Sequence, residues 1–89
     1  MKAVITVVGK DVVGILAKVS GLCAEKGANI TEVSQTVLQD MFCMMMLVDL
    51  DNEKKNFSEV SDALSKLGEE NGLVIHMMHE DIFNAMHRI

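Results

Sequence analysis

The chain has 89 residues, which is enough for one domain and too few for two of typical size. Its net charge is −5, and neither Trp nor Tyr is present. This composition argues against nucleic-acid binding, which needs clustered Lys and Arg and stacking aromatic rings. No apolar run reaches the roughly 18 residues of a membrane span and no signal peptide is visible, so we expect a cytoplasmic protein without membrane association.

Hydrophobic residues make up 49% of the chain, yet only three are aromatic and eight are Met. This composition predicts a core of Val, Ile, Leu and Met. It also supplies more apolar material than one small domain readily buries. The two cysteines, Cys23 and Cys43, form no C-x-x-C motif, and we expect both to be reduced and packed.

The first half of the chain predicts a strand, a helix and a second strand. Residues 2–8 are apolar and rich in β-branched side chains, which favours a strand. Apolar residues then recur at helical spacing over 12–26, with Asp11 placed to cap the helix. Residues 30–38 alternate imperfectly, which suits an edge strand. One face of that strand is predicted to carry Ile30, Glu32, Ser34 and Thr36.

The second half begins with a hairpin connection at 39–41. Asn56 and Glu59 then have the spacing of a capping box at the start of a second helix. The remaining elements are predicted as a central strand at 42–50, a helix at 57–70, a strand at 73–79 and a short terminal helix at 80–87.

This β-α-β-β-α-β order predicts an α+β fold. Right-handed crossovers and the central hairpin give a ferredoxin-like sandwich, in which two helices cover one face of a four-stranded antiparallel sheet. We expect a single domain over residues 1–89.

The sheet face opposite the helices is also predicted to be apolar. On the first strand one face carries Val4, Thr6 and Val8 and the other carries Ala3, Ile5 and Val7. The central strand is apolar on both faces. Two explanations are open: the protein associates with itself, or the terminal segment, with its apolar Ile82, Phe83 and Met86, folds across this face.

The turn after the first strand carries the clearest chemical signal. It comprises Gly9, Lys10, Asp11, Val12, Val13, Gly14 and Ile15. Glycines let a ligand approach the backbone, and the amides at a helix start favour a carboxylate or another small anion. Asp11 could receive an ammonium group, and an amino acid offers both charges. A capped turn without a ligand is the alternative.

Four motifs carry a resemblance to a known family. They are G-K-D-x-x-G-I at 9–15, A-E-K-G-A-N-I at 24–30, S-Q-T at 34–36, and H-E-D-I-F-N-A-M-H-R-I at 79–89. The whole chain resembles the ACT domain, a regulatory module that binds amino acids. It is most similar to small single-domain ACT proteins of bacteria and archaea, and to the halves of the glycine cleavage system repressor.

The resemblance implies a non-catalytic homodimer that senses a small molecule, with an amino acid bound between subunits. Asp11 would hold a polar end of the ligand, and the amides near Val13, Gly14 and Ile15 would hold its carboxylate. Asn29 and Ile30 would reach in from the partner subunit, although Asn29 also fits an ordinary helix exit. Higher oligomers and an unidentified protein partner are compatible with this role.

Two other functions remain as alternatives. One is a protein-interaction module without a ligand. The other is a metal-dependent enzyme that uses His79, Asp81 and His87, with His76 facing the other side of its strand. We expect no cofactor, metal or catalytic residue, and we interpret the Met runs at 44–46 and 77–78 as core filling.

Overall fold

The computed structural model describes residues 2–10, 14–50 and 53–86. Its seven elements confirm the ferredoxin-like α+β fold and the predicted β-α-β-β-α-β order with a short terminal helix. Their bounds are β1 Lys2–Lys10, α1 Ile15–Glu25, β2 Ala28–Leu38, β3 Met41–Leu50, α2 Glu53–Asn71, β4 Val74–His79 and α3 Glu80–Met86.

The four strands form one antiparallel sheet in the order β2-β3-β1-β4. The predicted edge position of β2 and central position of β3 are therefore both confirmed. β1 is the second central strand, and the β2–β3 hairpin turns at Gln39 and Asp40. Gln39 has a φ of 58°, the left-handed conformation that tight turns often require.

The core fills the space between the sheet and helices α1 and α2. Side chains at every second position of β1 point into it, because successive residues of a strand face opposite sides. Methionines from β3 lie beside them, as the aliphatic and Met-rich composition predicts. Fully buried members of this core include Ile5, Val7, Val19, Cys23, Met46, Val48 and Val60.

A β-bulge in β2 corrects one part of the sequence prediction. The pairing with β3 shifts between Ile30, opposite Val48, and Glu32, opposite Leu47, so Thr31 is the extra residue. The Thr31 hydroxyl donates a hydrogen bond to the Leu47 carbonyl at 3.2 Å. Because the bulge changes the phase of alternation, Ile30 packs towards the core and does not share a face with Glu32.

Both long helices begin at positions other than those predicted. α1 begins at Ile15 with Gly14 as its N-cap, so the prediction of Asp11 as the cap is wrong; Asp11 itself lies outside the described residues. α2 begins at Glu53, so Asn56 lies inside the helix and does not start a capping box. A run of polar residues carries no apolar periodicity, which is why the first turn of α2 was missed.

The second face of the sheet, which we call the outer face, is covered only in part. Val4 faces away from α1 and α2 yet is 1% exposed, and α3 contacts both β1 and β4. The terminal helix therefore covers the Val4 end of the outer face. Met45 and Val74, at 40% and 54% exposure, remain open to solvent. The terminal segment therefore covers this face only in part, and self-association stays a prediction.

Two helical glycines give opposite predictions for the same substitution. A Cβ at Gly68 would lie 2.8 Å from the Leu73 carbonyl oxygen, because the chain turns back closely there, whereas a Cβ at Gly21 meets nothing within 4 Å. We expect Gly68→Ala to lower the free energy of unfolding and Gly21→Ala to raise it by about 0.5 to 1 kcal/mol. Urea unfolding of both variants measures the difference. Equal gains in stability would contradict the close approach at Gly68.

Candidate functional site

The start of α1 offers backbone amides, and none of the side chains that the structure describes caps them. Gly14 has a φ of 76°, and no side-chain cap bond or acidic residue occurs in the first turn. The first helical hydrogen bond joins the Lys18 amide to the Gly14 carbonyl at 3.1 Å. Helix geometry therefore leaves the amides of residues 15–17 without an intrahelical acceptor. Together with the positive end of the helix dipole, they suit a carboxylate.

The left-handed conformation also explains why a glycine stands at position 14. The sequence suggested close approach of another group as the reason, but a Cβ there would meet none of the described residues within 4 Å. The requirement is conformational, since a left-handed φ is easy for glycine and costly for most other residues. Gly14 is exposed, so its backbone is open to solvent at the helix start.

The other predicted residues of this turn lie in different surroundings. Gly9 is buried, and Ile15 is a core side chain, so Ile15 can contribute only its backbone to a ligand. Lys10 lies on the outer face, where its Nζ is 3.6 Å from Asp40 Oδ2. Its side chain therefore points away from the start of α1. Residues 11–13, which include Asp11, Val12 and Val13, lie outside the described residues.

Asn29 and Ile30 line a groove of about 390 Å³ between the end of α1 and the start of β2. Asn29 is exposed, and the groove is open to solvent. The sequence analysis missed its other lining residues. They are Ser20, Ala24, Gly27 and Ala28. Ser20 and Ala24 are four positions apart on one face of α1, but small side chains at that spacing carry no chemical signal in the sequence.

The two halves of the predicted site lie at opposite ends of the chain's own sheet. Lys10 pairs with Met41 of β3, and Asn29 pairs with Asp49 of the same strand. These partners are eight positions apart, or about 26 Å at the usual rise of a strand. One chain therefore does not bring the start of α1 together with the Asn29 groove.

The histidines of β4 do not assemble a metal site with the described acidic residues. His76 lies on the outer face opposite Thr6, and His79 pairs with Ala3 on the helix side, so the two face apart as predicted. His79 Nδ1 accepts a hydrogen bond from the Asp81 amide at 3.1 Å and is 3.6 Å from Asp81 Oδ2. Within residues 2–10, 14–50 and 53–86, no three His, Cys, Asp or Glu side chains are grouped to hold a metal ion. His87 lies outside the described residues.

A comparison with protein-family models matches residues 2–78 to the ACT domain. The chain belongs to the ACT domain family. ACT domains are regulatory ligand-binding domains, so this chain carries a module of that class. For the part of the chain that the structure describes, no helix is long and apolar enough to cross a membrane.

Relatives and solved structures support this assignment. A UPF0237 protein of Methanococcus maripaludis is 50% identical over 97% of this chain and 96% of its own length. An ACT domain protein from Streptococcus pneumoniae has a TM-score of 0.83 and 44% identity, and the match covers 98% of each chain. A putative glycine cleavage system transcriptional repressor has a TM-score of 0.76 and 29% identity over 89% of this chain and 47% of its own. The resemblance stated from the motifs is thus confirmed.

We expect substitution of Gly14 in this ACT domain to cost stability through its backbone alone. Gly14→Ala should lower the free energy of unfolding by about 1 to 2 kcal/mol, because a Cβ disfavours the left-handed conformation. Gly14→Asn should cost less, since Asn tolerates that conformation better. Urea unfolding of the two variants tests the order, and equal losses would contradict a conformational cause.

The two cysteines should differ in reactivity. Cys23 is buried in the core, and this burial raises the pKa of its thiol above the ordinary value, so the reactive thiolate is scarce. Cys43 is only half-buried. With a thiol reagent at pH 8, we expect one fast reaction that Cys43→Ser removes and one slow reaction that Cys23→Ser removes. Two reactions of equal rate would contradict the packing of Cys23.

Proposed function

We propose that the chain, over residues 1–89, works as a single non-catalytic ACT domain in the cytoplasm and senses a small molecule as a homodimer. The ligand that fits best is an amino acid bound between subunits. Its carboxylate would meet the amides near Val13, Gly14 and Ile15, and Asp11 would accept its ammonium group. Asn29 and Ile30 of the second subunit would complete the site.

The observation that carries this proposal is the separation of the two half-sites within one chain. The start of α1 lies at the Lys10 end of the sheet, and Asn29 lies beyond the other end of this helix, whose 11 residues span about 16 Å. A two-fold axis beside the edge strand β2 makes the β2 strands of the two chains run in opposite directions. It would therefore place the Asn29 groove of one subunit next to the start of α1 of the other, twice per dimer.

The edge strand has the exposure that such pairing requires. β2 is the outermost strand, and every residue from Thr31 to Leu38 is exposed. An edge strand presents unpaired N–H and C=O groups on its outer side, which a second strand can satisfy. Val37, at 65% exposure, adds apolar surface beside that edge. These features favour an antiparallel β2–β2 contact between two copies.

A site shared between subunits would couple ligand binding to assembly. Because the ligand would contact both subunits, it would bind the dimer more tightly than the separate chains and would stabilise the dimer in turn. A partner protein could then respond to the amount of dimer or to its conformation. No catalytic step is needed for this role.

A protein-interaction module without a ligand is the second candidate. The specific observation in its favour is the open apolar surface around Met45 and Val74, on the face of the sheet opposite α1. In that case Asp11→Ala would leave function intact, and changes on the outer face would abolish it.

Subunit mixing gives a sharp test of the shared amino-acid site. The common amino acids are first screened by thermal shift and calorimetry, and the best ligand is then titrated into Asp11→Ala, Asn29→Ala and a refolded equal mixture. Each variant alone should lose binding, whereas a mixed dimer contains one intact site. The mixture should therefore recover about one quarter of the wild-type sites.

Asn84→Ala is a matched control, because Asn84 is an exposed asparagine on α3, away from the α1–β2 groove. It should bind the ligand as the wild type does. If the mixture recovers nothing while each variant remains a folded dimer, the site does not span two subunits. If a preformed dimer responds to no amino acid, the sensing role is wrong and the interaction module is favoured.

A further inference from the structure

The end of α2 carries a chemically reactive pair of residues. Asn71 is the last residue of the helix, and Gly72 follows it with a left-handed φ of 68°. The Leu73 amide donates to the Gly68 carbonyl at 2.8 Å, a bond that commonly ends a helix at a left-handed glycine. Gly72 is exposed, and a Cβ on it would meet none of the described residues within 4 Å. The peptide bond between Asn71 and Gly72 is therefore accessible to water.

An Asn-Gly pair can lose ammonia without an enzyme. The backbone nitrogen of Gly72 attacks Cγ of Asn71, and the new C–N bond closes a five-membered succinimide ring. The side-chain nitrogen leaves as ammonia and takes the proton of the Gly72 amide with it. Water then opens the ring at either carbonyl, which gives aspartate or isoaspartate at position 71. Glycine favours this reaction because it has no side chain to hinder the attack.

Two hydrogen bonds hold the Asn71 amide group away from this reaction. Asn71 Nδ2 donates to the Leu67 carbonyl at 2.8 Å, one turn earlier in α2. Lys18 Nζ donates to Asn71 Oδ1, also at 2.8 Å. With both bonds in place the amide group is directed back along the helix and towards α1. Cγ is then not presented to the Gly72 nitrogen, and attack needs that alignment.

The two bonds differ in what they depend on. The bond to Leu67 is local and can form whenever the last turn of α2 is helical. The bond from Lys18 joins α1 to α2 and spans 53 positions of the chain, so it exists only while the two helices lie side by side. It is exposed to solvent, and exposed contacts open more often than the core does.

We propose that Asn71 and Gly72 form a deamidation site, and that the contact with Lys18 slows its reaction in the folded chain. While α1 and α2 are in contact, the amide group is held and cyclisation is slow. Loss of the Lys18 bond releases Oδ1 and lets the side chain rotate towards Gly72. The amount of product therefore reports how often this end of the α1–α2 contact opens. The reaction needs neither a ligand nor a second subunit, so it is tested separately from the proposed sensing role.

The two products should affect the fold differently. An aspartate at position 71 still offers an oxygen to Lys18, so the bond between the helices can persist as a charge-assisted one. An isoaspartate adds a methylene group to the backbone before Gly72. That addition displaces Leu73, a core residue at 7% exposure whose amide bonds the Gly68 carbonyl. The isoaspartate form should therefore lose stability at the turn into β4.

Mass spectrometry of peptides from the incubated full-length chain measures the deamidation rate at Asn71. The folded wild type should react about tenfold or more slowly than the chain unfolded in guanidinium chloride. Lys18→Met should raise the folded-state rate about two- to fivefold, which corresponds to the loss of one exposed hydrogen bond. Lys18→Arg keeps a donor and should retain most of the protection. Lys18 is exposed, so both variants should fold.

Two controls separate the local effect from a general one. Lys66→Met removes the same charge from an exposed lysine of α2 and should leave the rate at Asn71 unchanged. Asn84 on α3 is an internal reference, because global unfolding would raise deamidation there as well. The proposal is overturned if Lys18→Met leaves the rate at Asn71 unchanged or lowers it, or if it raises the rates at Asn71 and Asn84 in the same proportion. Equal rates in the folded and unfolded wild type would also overturn it.

Discussion

The structure depends on burying both faces of one central strand. β1 lies inside the sheet, and its alternating side chains place Ile5 and Val7 against the helices and Val4 on the outer face. Helices α1 and α2 cover the side that carries Ile5 and Val7. The other side needs a further cover, and α3 supplies it over Val4. The terminal helix is thus part of what makes this small fold stable, because it buries Val4, which α1 and α2 leave uncovered.

The same topology places the possible binding surfaces away from the core. α1 runs back along the sheet, so its start and its end lie beside opposite ends of the strands. Its start offers amides around Gly14, and its end forms the groove with Asn29. Assembly is the simple way to join them, and the exposed edge of β2 is available for it.

The sequence predicted the fold well because its apolar periodicities are strong. Strands β1 and β3 follow from continuous apolar runs and the core face of α1 follows from helical spacing, and the family motifs agreed with them. What it could not predict depended on single backbone conformations. Gly14 was read as an interior helical residue, but its left-handed φ sets the start of α1. Thr31 was read as an ordinary strand residue, but only the pairing with β3 reveals the extra position. The groove residue Ala24 carries no chemical signal until β2 lies beside it.

The bulge at Thr31 has a consequence for how far this sheet can grow. An exposed, regular edge strand can recruit further strands without limit, which is the geometry of fibres. The extra residue interrupts the regular spacing of backbone groups along β2, and the Thr31 hydroxyl bonded to the Leu47 carbonyl fixes that interruption in place. An added strand can therefore match the edge in one short register, beyond the interruption, and has no continuous template to extend along. A protein with such an open edge can in this way form a defined pair and still resist polymerisation.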